Sequence, residues 1–187
     1  LPHLRPPSLL IKAKTMTLDA VTLRNLEIVK TIGDSSKDTL FAVLNKTSTA
    51  GGSRKLKDWL LRPLHDLDKL NQRHDAVQEL FDNTLSRREI KDILKGFQDV
   101  ERLLSRLGHG SISPRDLDSL KTSLNTLKDL KQFLSEEPLK SKLMKRLVKS
   151  IDVHKQVSEK LEEALVEEPP LVLREGGIFK KGYSEEL

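Results

Sequence analysis

Apolar residues recur along this chain at three- and four-residue intervals, interrupted by polar or glycine-bearing stops, and this pattern predicts a succession of short helices. Leu18, Val21, Leu26 and Val29 mark an inward face over about 18–31, with Thr17 as its cap. The loop Gly33-Asp34-Ser35-Ser36 separates it from a helix over about 38–45 carrying Leu40, Val43 and Leu44. Thr49 opens the next, about 49–62, and Pro63 closes it; Leu56, Trp59 and Leu60 share one face. Asp66 caps a helix with Leu67, Leu70, Val77, Leu80 and Phe81 on one side. Ser86-Arg87-Arg88-Glu89 reads as a capping box starting a helix that reaches Gly96. Asp99 opens one with Val100, Leu103, Leu104 and Leu107, stopped by Gly108.

Ser113 and Pro114 supply the cap and first position of the longest predicted helix, about 114–135. Its Leu117, Leu120, Leu124, Leu127 and Leu134 form a seam broken at Lys131. Helices over about 138–149 and 151–166 follow. The periodicity then stops. Pro169-Pro170 precedes Leu171-Val172-Leu173, the turn Glu175-Gly176-Gly177 and Ile178-Phe179-Lys180, which together read as a small hairpin or extended segment. Ser184 caps one more helix, just opening at Leu187. The expectation is an all-α, orthogonal, bundle-like domain: residues 1–16 a proline-rich linker, 17–168 the helical core, and 169–187 an extended segment and helix start.

Composition narrows the chemistry. Of 187 residues 36% are hydrophobic but only 4% aromatic, so the core is mostly leucine, which favours helices over sheets. There is no cysteine, which excludes disulfides and thiolate metal sites and fits a reducing compartment. No apolar run is long enough to span a membrane. A net charge of +5 permits a polyanionic partner without requiring one. Beginning at Leu1 and stopping as a helix opens, the chain reads as a fragment.

Gly51 and Gly52 stand in the first turn of a predicted helix, where each costs about 1 kcal/mol relative to alanine, so close packing is expected there. The run Ala50-Gly51-Gly52-Ser53-Arg54-Lys55 lacks both the spacing of a phosphate loop and a preceding strand. His3, His65, His74, His109 and His154 share no metal-ligand spacing. Glu162-Glu163 and Glu167-Glu168 read as solvated helix surface. No serine or threonine stands as an activated nucleophile. No catalytic, cofactor-binding or metal-binding residue is expected. Arg87, Arg88, Lys91 and Lys95 on one helix, and Lys142, Lys145, Arg146 and Lys149 on another, are candidate phosphate contacts, although a soluble helix surface explains them as well. No aromatic residues interleave with them to stack single-stranded bases.

Leu18-Asp19, Thr22 and Asn25-Leu26-Glu27-Ile28 form a signature, followed by Thr47, Thr49, Gly52, Arg54, Leu56, Trp59-Leu60 and Pro63-Leu64. Arg73, Asp99-Val100-Glu101-Arg102-Leu103-Leu104, Pro114-Arg115-Asp116-Leu117, Pro169-Pro170, Arg174, Gly176-Gly177-Ile178 and Gly182-Tyr183-Ser184-Glu185-Glu186-Leu187 continue it over nearly the whole chain. This order and spacing resembles the core (lever) domain of the DNA mismatch repair MutS family. Asn45 departs from the aspartate usual after Leu44.

The resemblance implies a non-catalytic core that transmits conformational change between DNA-clamping, mismatch-reading modules and an ATPase. It implies no cofactor in this stretch, with ATP and magnesium belonging to the full-length protein. The partners implied are mismatched duplex DNA through that full-length protein, other domains of the same chain and a second subunit; no membrane is involved. The setting is intracellular and DNA-associated. Thr49, Gly52, Arg54, Trp59 and Pro63 would form its structural hub, with Trp59 buried. The alternative function is a helical module that binds nucleic acid directly through its basic faces.

Overall fold

The computed structural model describes residues 15–184, which hold nine α-helices and no strand. They are α1 (Ala20–Asn25), α2 (Leu40–Leu44), α3 (Ala50–Leu61), α4 (Leu67–Asp82), α5 (Thr84–Leu94), α6 (Val100–Gly108), α7 (Pro114–Glu136), α8 (Lys142–Ser150) and α9 (Lys155–Ala164). The expected all-α class is what the chain adopts. The linker expected over 1–16 falls almost wholly outside the described residues, as does the helix expected after Ser184.

Short polar side chains set the helix starts. Thr39, Thr49, Asp66 and Asp99 accept hydrogen bonds from the amides of Ala42, Gly52, Lys69 and Arg102. Each satisfies a donor that the first turn leaves without an intrahelical partner. Ser113 and Asp116 form a reciprocal capping box around Pro114 at the start of α7. Only α9 begins without a side-chain cap; His154 before it is left-handed, with φ 44°.

α8 and α9 begin about four residues later than the expected 138 and 151, and two caps differ from expectation. Asp19, not Thr17, caps α1, accepting from the Thr22 amide at 2.7 Å. Asn83, not Ser86, caps α5, accepting from the Ser86 amide at 3.1 Å. The Ser86 hydroxyl is committed elsewhere, donating to Glu137, so its capping box does not form. α1 is also far shorter than its periodicity predicts. Glu27 turns left-handed (φ 47°), and its carboxylate accepts from the Ile32 amide at 2.8 Å. That turn sets the Glu27 and Ile28 carbonyls to accept from Leu40 and Phe41 at the start of α2.

The described residues fall into two compact units, 15–46 with 54–73 and 47–53 with 74–184. The first has a thin interior of Ile28 and Thr39, and Val21 and Leu26, expected inside, are exposed. In it the Met16 amide donates to the Pro63 carbonyl at 2.7 Å. The second is organised on α7, which packs against α5, α6, α8 and α9. Ala76, Leu134 and Met144 centre one core cluster, and Leu103, Leu120 and Leu124 the other.

The predicted face of α4 is corrected. Leu67, Val77 and Phe81 are exposed, whereas Ala76 is buried and Leu80 packs on the first cluster. The small Ala76 lets α4 approach that cluster closely, and Glu79 on the same side is needed at the start of α8. The seam of α7 is not purely apolar either: Ser123 and Thr126 are buried beside Leu120 and Leu124. Ser123 donates to the Ser119 carbonyl and accepts from the Gln98 amide, at 2.8 and 3.0 Å. A β-carbon at Gly96 would stand 2.7 Å from Thr126 Oγ1, so the α5–α6 connection lies directly on α7.

No hairpin forms between 171–173 and 178–180. Phe179 pairs instead with Leu165, the Lys180 amide donates to the Ala164 carbonyl, and Leu173–Glu175 is a 3₁₀ turn. Pro169 and Pro170 lack amide donors, and Gly176 and Gly177 adopt φ near +65°, so the chain turns back on the end of α9.

Candidate functional site

The five residues expected to form a hub each make a local contact. Thr49 caps α3, and the tight neighbour of Gly52 is that cap itself: a β-carbon there would meet Thr49 Oγ1 at 3.0 Å and Thr47 Cβ at 3.5 Å. The Gly52 amide donates to the Thr49 hydroxyl at 3.0 Å, so the glycine pair opens a helix. Pro63 follows α3, and its carbonyl receives Met16. Arg54 is exposed.

Trp59 is not buried as expected but 37% exposed. The Arg73 guanidinium of α4 lies 3.8 Å from the centre of its ring. Burial pushes the Arg73 pKa down while Asp58 opposes it, and an arginine stays cationic in either case. This cation–π pair joins α3 to α4 inside the first unit. Arg62 also pairs with Asp58, one turn back on α3.

The two basic runs part company. On α5, Arg87 turns back to cap α4, donating to the Leu80 and Phe81 carbonyls at 2.5 and 2.6 Å. Lys95 pairs with Asp92 at 2.5 Å. Only Arg88 and Lys91 of that run project from α5 without such a tie. On α8, Lys142, Lys145, Arg146 and Lys149 are all exposed, and none is in an ion pair among the described residues. At about 100° per residue these four fall within one sector of roughly 100°, opposite Met144, Leu147 and Leu143. Met144 is buried, and Leu143 and Val148 pack on the first core cluster.

Two carboxylates brace helix starts, Glu79 that of α8 and Glu137 that of α5. Glu79 of α4 accepts from the amides of Lys140 and Ser141, the latter at 3.0 Å, holding the start of α8. Burial pushes the Glu79 carboxyl up, but those amides outweigh it and hold it below the ordinary glutamate range. Glu137, just past α7, accepts from Ser86 and Asn83 at the start of α5. Asp116 behaves like Glu79: burial raises its pKa, yet Ser113 and the Arg106 guanidinium at 2.6 Å bring it below the usual aspartate value. Reasoning from the sequence missed Glu79, Glu137 and the Arg87 cap, because each reaches partners through the fold. Arg73 stood within the family pattern, but nothing there paired it with Trp59.

An open cleft of about 500 Å³ in the first unit is lined by Leu23, Val29, Ile32 and Leu61, with Arg24, Lys30 and Asp34. Thr31 also lines it, and Lys30 and Asp34 pair there at 2.7 Å. Among the described residues no three histidine or carboxylate side chains gather as a metal site. What the surface offers chemically is a row of unpaired cations on a rigid helix.

A family model described as MutS domain III matches residues 21–186. The chain is 42% identical over 176 residues to the DNA mismatch repair protein MutS of Methanosarcina acetivorans, covering 92% of this chain and 19% of that protein. To the protein of the same name from Pelotomaculum thermopropionicum it is 40% identical over 188 residues, covering 100% of this chain and 22% of that one. The Halothermothrix orenii protein of that name is 42% identical over 173 residues. The chain thus spans about a fifth of the length of the curated relatives it matches.

Proposed function

The chain belongs to the MutS family, as its domain III, and from that premise we propose that it is a non-catalytic mechanical core, coupling DNA engagement to nucleotide state in a DNA mismatch repair ATPase. The observation that carries this reading is α7. This helix of 23 residues is about 34 Å long and touches four other helices of its unit. A close-packed rod of that kind moves as a body, because its interface has few alternative arrangements. The signature residues support the same reading: Asp19 and Thr49 cap helices, Ile28 is buried and Arg73 stacks on Trp59. They hold the fold together and present no reactive group.

In this reading the domain itself binds no ATP, magnesium or metal. Coupling of this sort is reciprocal: DNA shifts nucleotide affinity by the same factor by which nucleotide shifts DNA affinity. The test is Leu124→Ala in the full-length protein, which loosens α7 against α6. Affinities for duplex and for nucleotide, each measured alone, should stay near wild type, while the factor linking them falls toward one. An unchanged linkage factor in a variant with a lowered melting temperature would overturn the proposal. ATP turnover by the 187-residue chain alone would overturn its non-catalytic part.

A further inference from the structure

We infer that the solvent face of α8 is a contact site for the phosphate backbone of duplex nucleic acid. The inference rests on the reading above only in placing this domain within a DNA-handling protein. From Leu139 to Ile151 the chain carries Lys140, Lys142, Lys145, Arg146 and Lys149 and no acidic residue. Elsewhere several cations are paired at short range, as in Lys30–Asp34, Lys69–Asp66, Lys95–Asp92, Arg106–Asp116 and Lys121–Asp118, and the unpaired ones on α5 are only Arg88 and Lys91 of its run. Glu79, at the start of α8, accepts from the Lys140 and Ser141 amides and interacts with the Lys140 charge, whereas Lys142, Lys145, Arg146 and Lys149 are in no ion pair among the described residues. The cations are therefore a concentrated, uncompensated strip and not part of an alternating surface.

The geometry selects the partner. Lys142 to Lys149 spans about 10.5 Å of helix axis, and a duplex strand presents a phosphate about every 3.4 Å of its own axis, so the strip matches about three phosphates. A basic amphipathic helix can also lie on an anionic membrane, but that needs a free apolar face. Here Met144 is buried and Leu143 and Val148 are packed in the core, so only the half-exposed Leu147 remains on that face, too little apolar surface for insertion. Single-stranded binding would call for aromatic platforms beside the cations, and α8 has none. The α5 run is excluded by its own contacts, since Arg87 is held by α4 carbonyls and Lys95 by Asp92.

The test is fluorescence anisotropy of the 187-residue chain on a labelled duplex of mixed sequence, titrated at several salt concentrations. With three phosphate contacts the slope of log affinity against log salt should be about −2.7, a loss of about 40-fold between 50 and 200 mM salt. The variant K142Q/K145Q/R146Q/K149Q should bring that slope close to zero while its helical circular dichroism and melting stay at wild type. K145Q and R146Q singly should each reduce the slope by about 0.9, which keeps the test decisive if the fourfold variant folds poorly. The charge-preserving K142R/K145R/K149R should bind as wild type, and R88Q/K91Q on α5 should change little. No binding at 50 mM salt, an unchanged slope in the α8 variants, an equal loss in R88Q/K91Q, or stronger binding of poly-glutamate than of duplex would each overturn the site. None of those results alters the linkage factor that tests the mechanical role.

Discussion

At the scale of single residues, Trp59 shows how a distinctive side chain can be placed by a partner instead of by depth. It retains 37% of its exposure, so its truncation should cost less than the roughly 3–5 kcal/mol of a fully buried tryptophan. Arg73 over its ring supplies a separable contribution. A double-mutant cycle with W59A and R73A should return a coupling of about 0.5–1 kcal/mol by chemical denaturation. Additive effects within error would mean that the stack contributes nothing. Arg87 carries a second lesson at this scale. An arginine within a basic run is a helix cap when two backbone carbonyls lie within its reach.

Among the helices, α7 is shaped by what it must touch as much as by its leucines. Ser123 and Thr126 are tolerated inside because their hydroxyls bond to carbonyls one turn back, and Thr126 thereby leaves room for the α5–α6 connection. Gly96 is the counterpart of that arrangement, its missing β-carbon standing where Thr126 Oγ1 approaches. Gly96→Ala should destabilise the chain by about 1–3 kcal/mol in denaturant unfolding. In the Gly96→Ala, Thr126→Ala pair the second change makes room for the first, so part of that loss should return. A Gly96→Ala chain as stable as wild type would show that the connection can lift off α7 without penalty.

For the molecule as a whole, acid stability follows from carboxylates held by backbone amides and, for Asp116, by the Arg106 guanidinium. Glu79 and Asp116 both sit below their ordinary pKa values in the fold. Their contributions are therefore complete above the unfolded values near 4 and are lost as pH falls through the depressed folded values. Protonation also adds to a chain already at net charge +5, so self-repulsion grows over the same range. Melting temperature should hold from neutral pH to about 5 and fall steeply below about 4. Glu79→Gln should start lower at neutral pH, because its amide group faces two backbone donors, and should lose less on further acidification. An acid limb identical to wild type would remove Glu79 from this account.

Much of the fold was legible along the chain because it is encoded locally. Thr49, Asp66, Asp99 and Ser113 cap helices at the positions their sequence implied, since a cap needs only three or four neighbouring residues. Residue order and spacing were also enough to place the chain in its family. Periodicity marked α4 as amphipathic but chose the wrong face, because burial depends on which side another helix can approach, and Ala76 and Glu79 face that side. The α8 strip was visible as a run of charge, yet so was its equal on α5. Only tertiary structure separated them, by bringing α4 carbonyls to Arg87 and leaving Lys142, Lys145, Arg146 and Lys149 unpaired. Sequence by itself determined where several helices begin and what lineage they belong to, since both are written in short-range order. Which faces are buried and which charges stay free was decided by contacts between residues tens of positions apart, which no local pattern records.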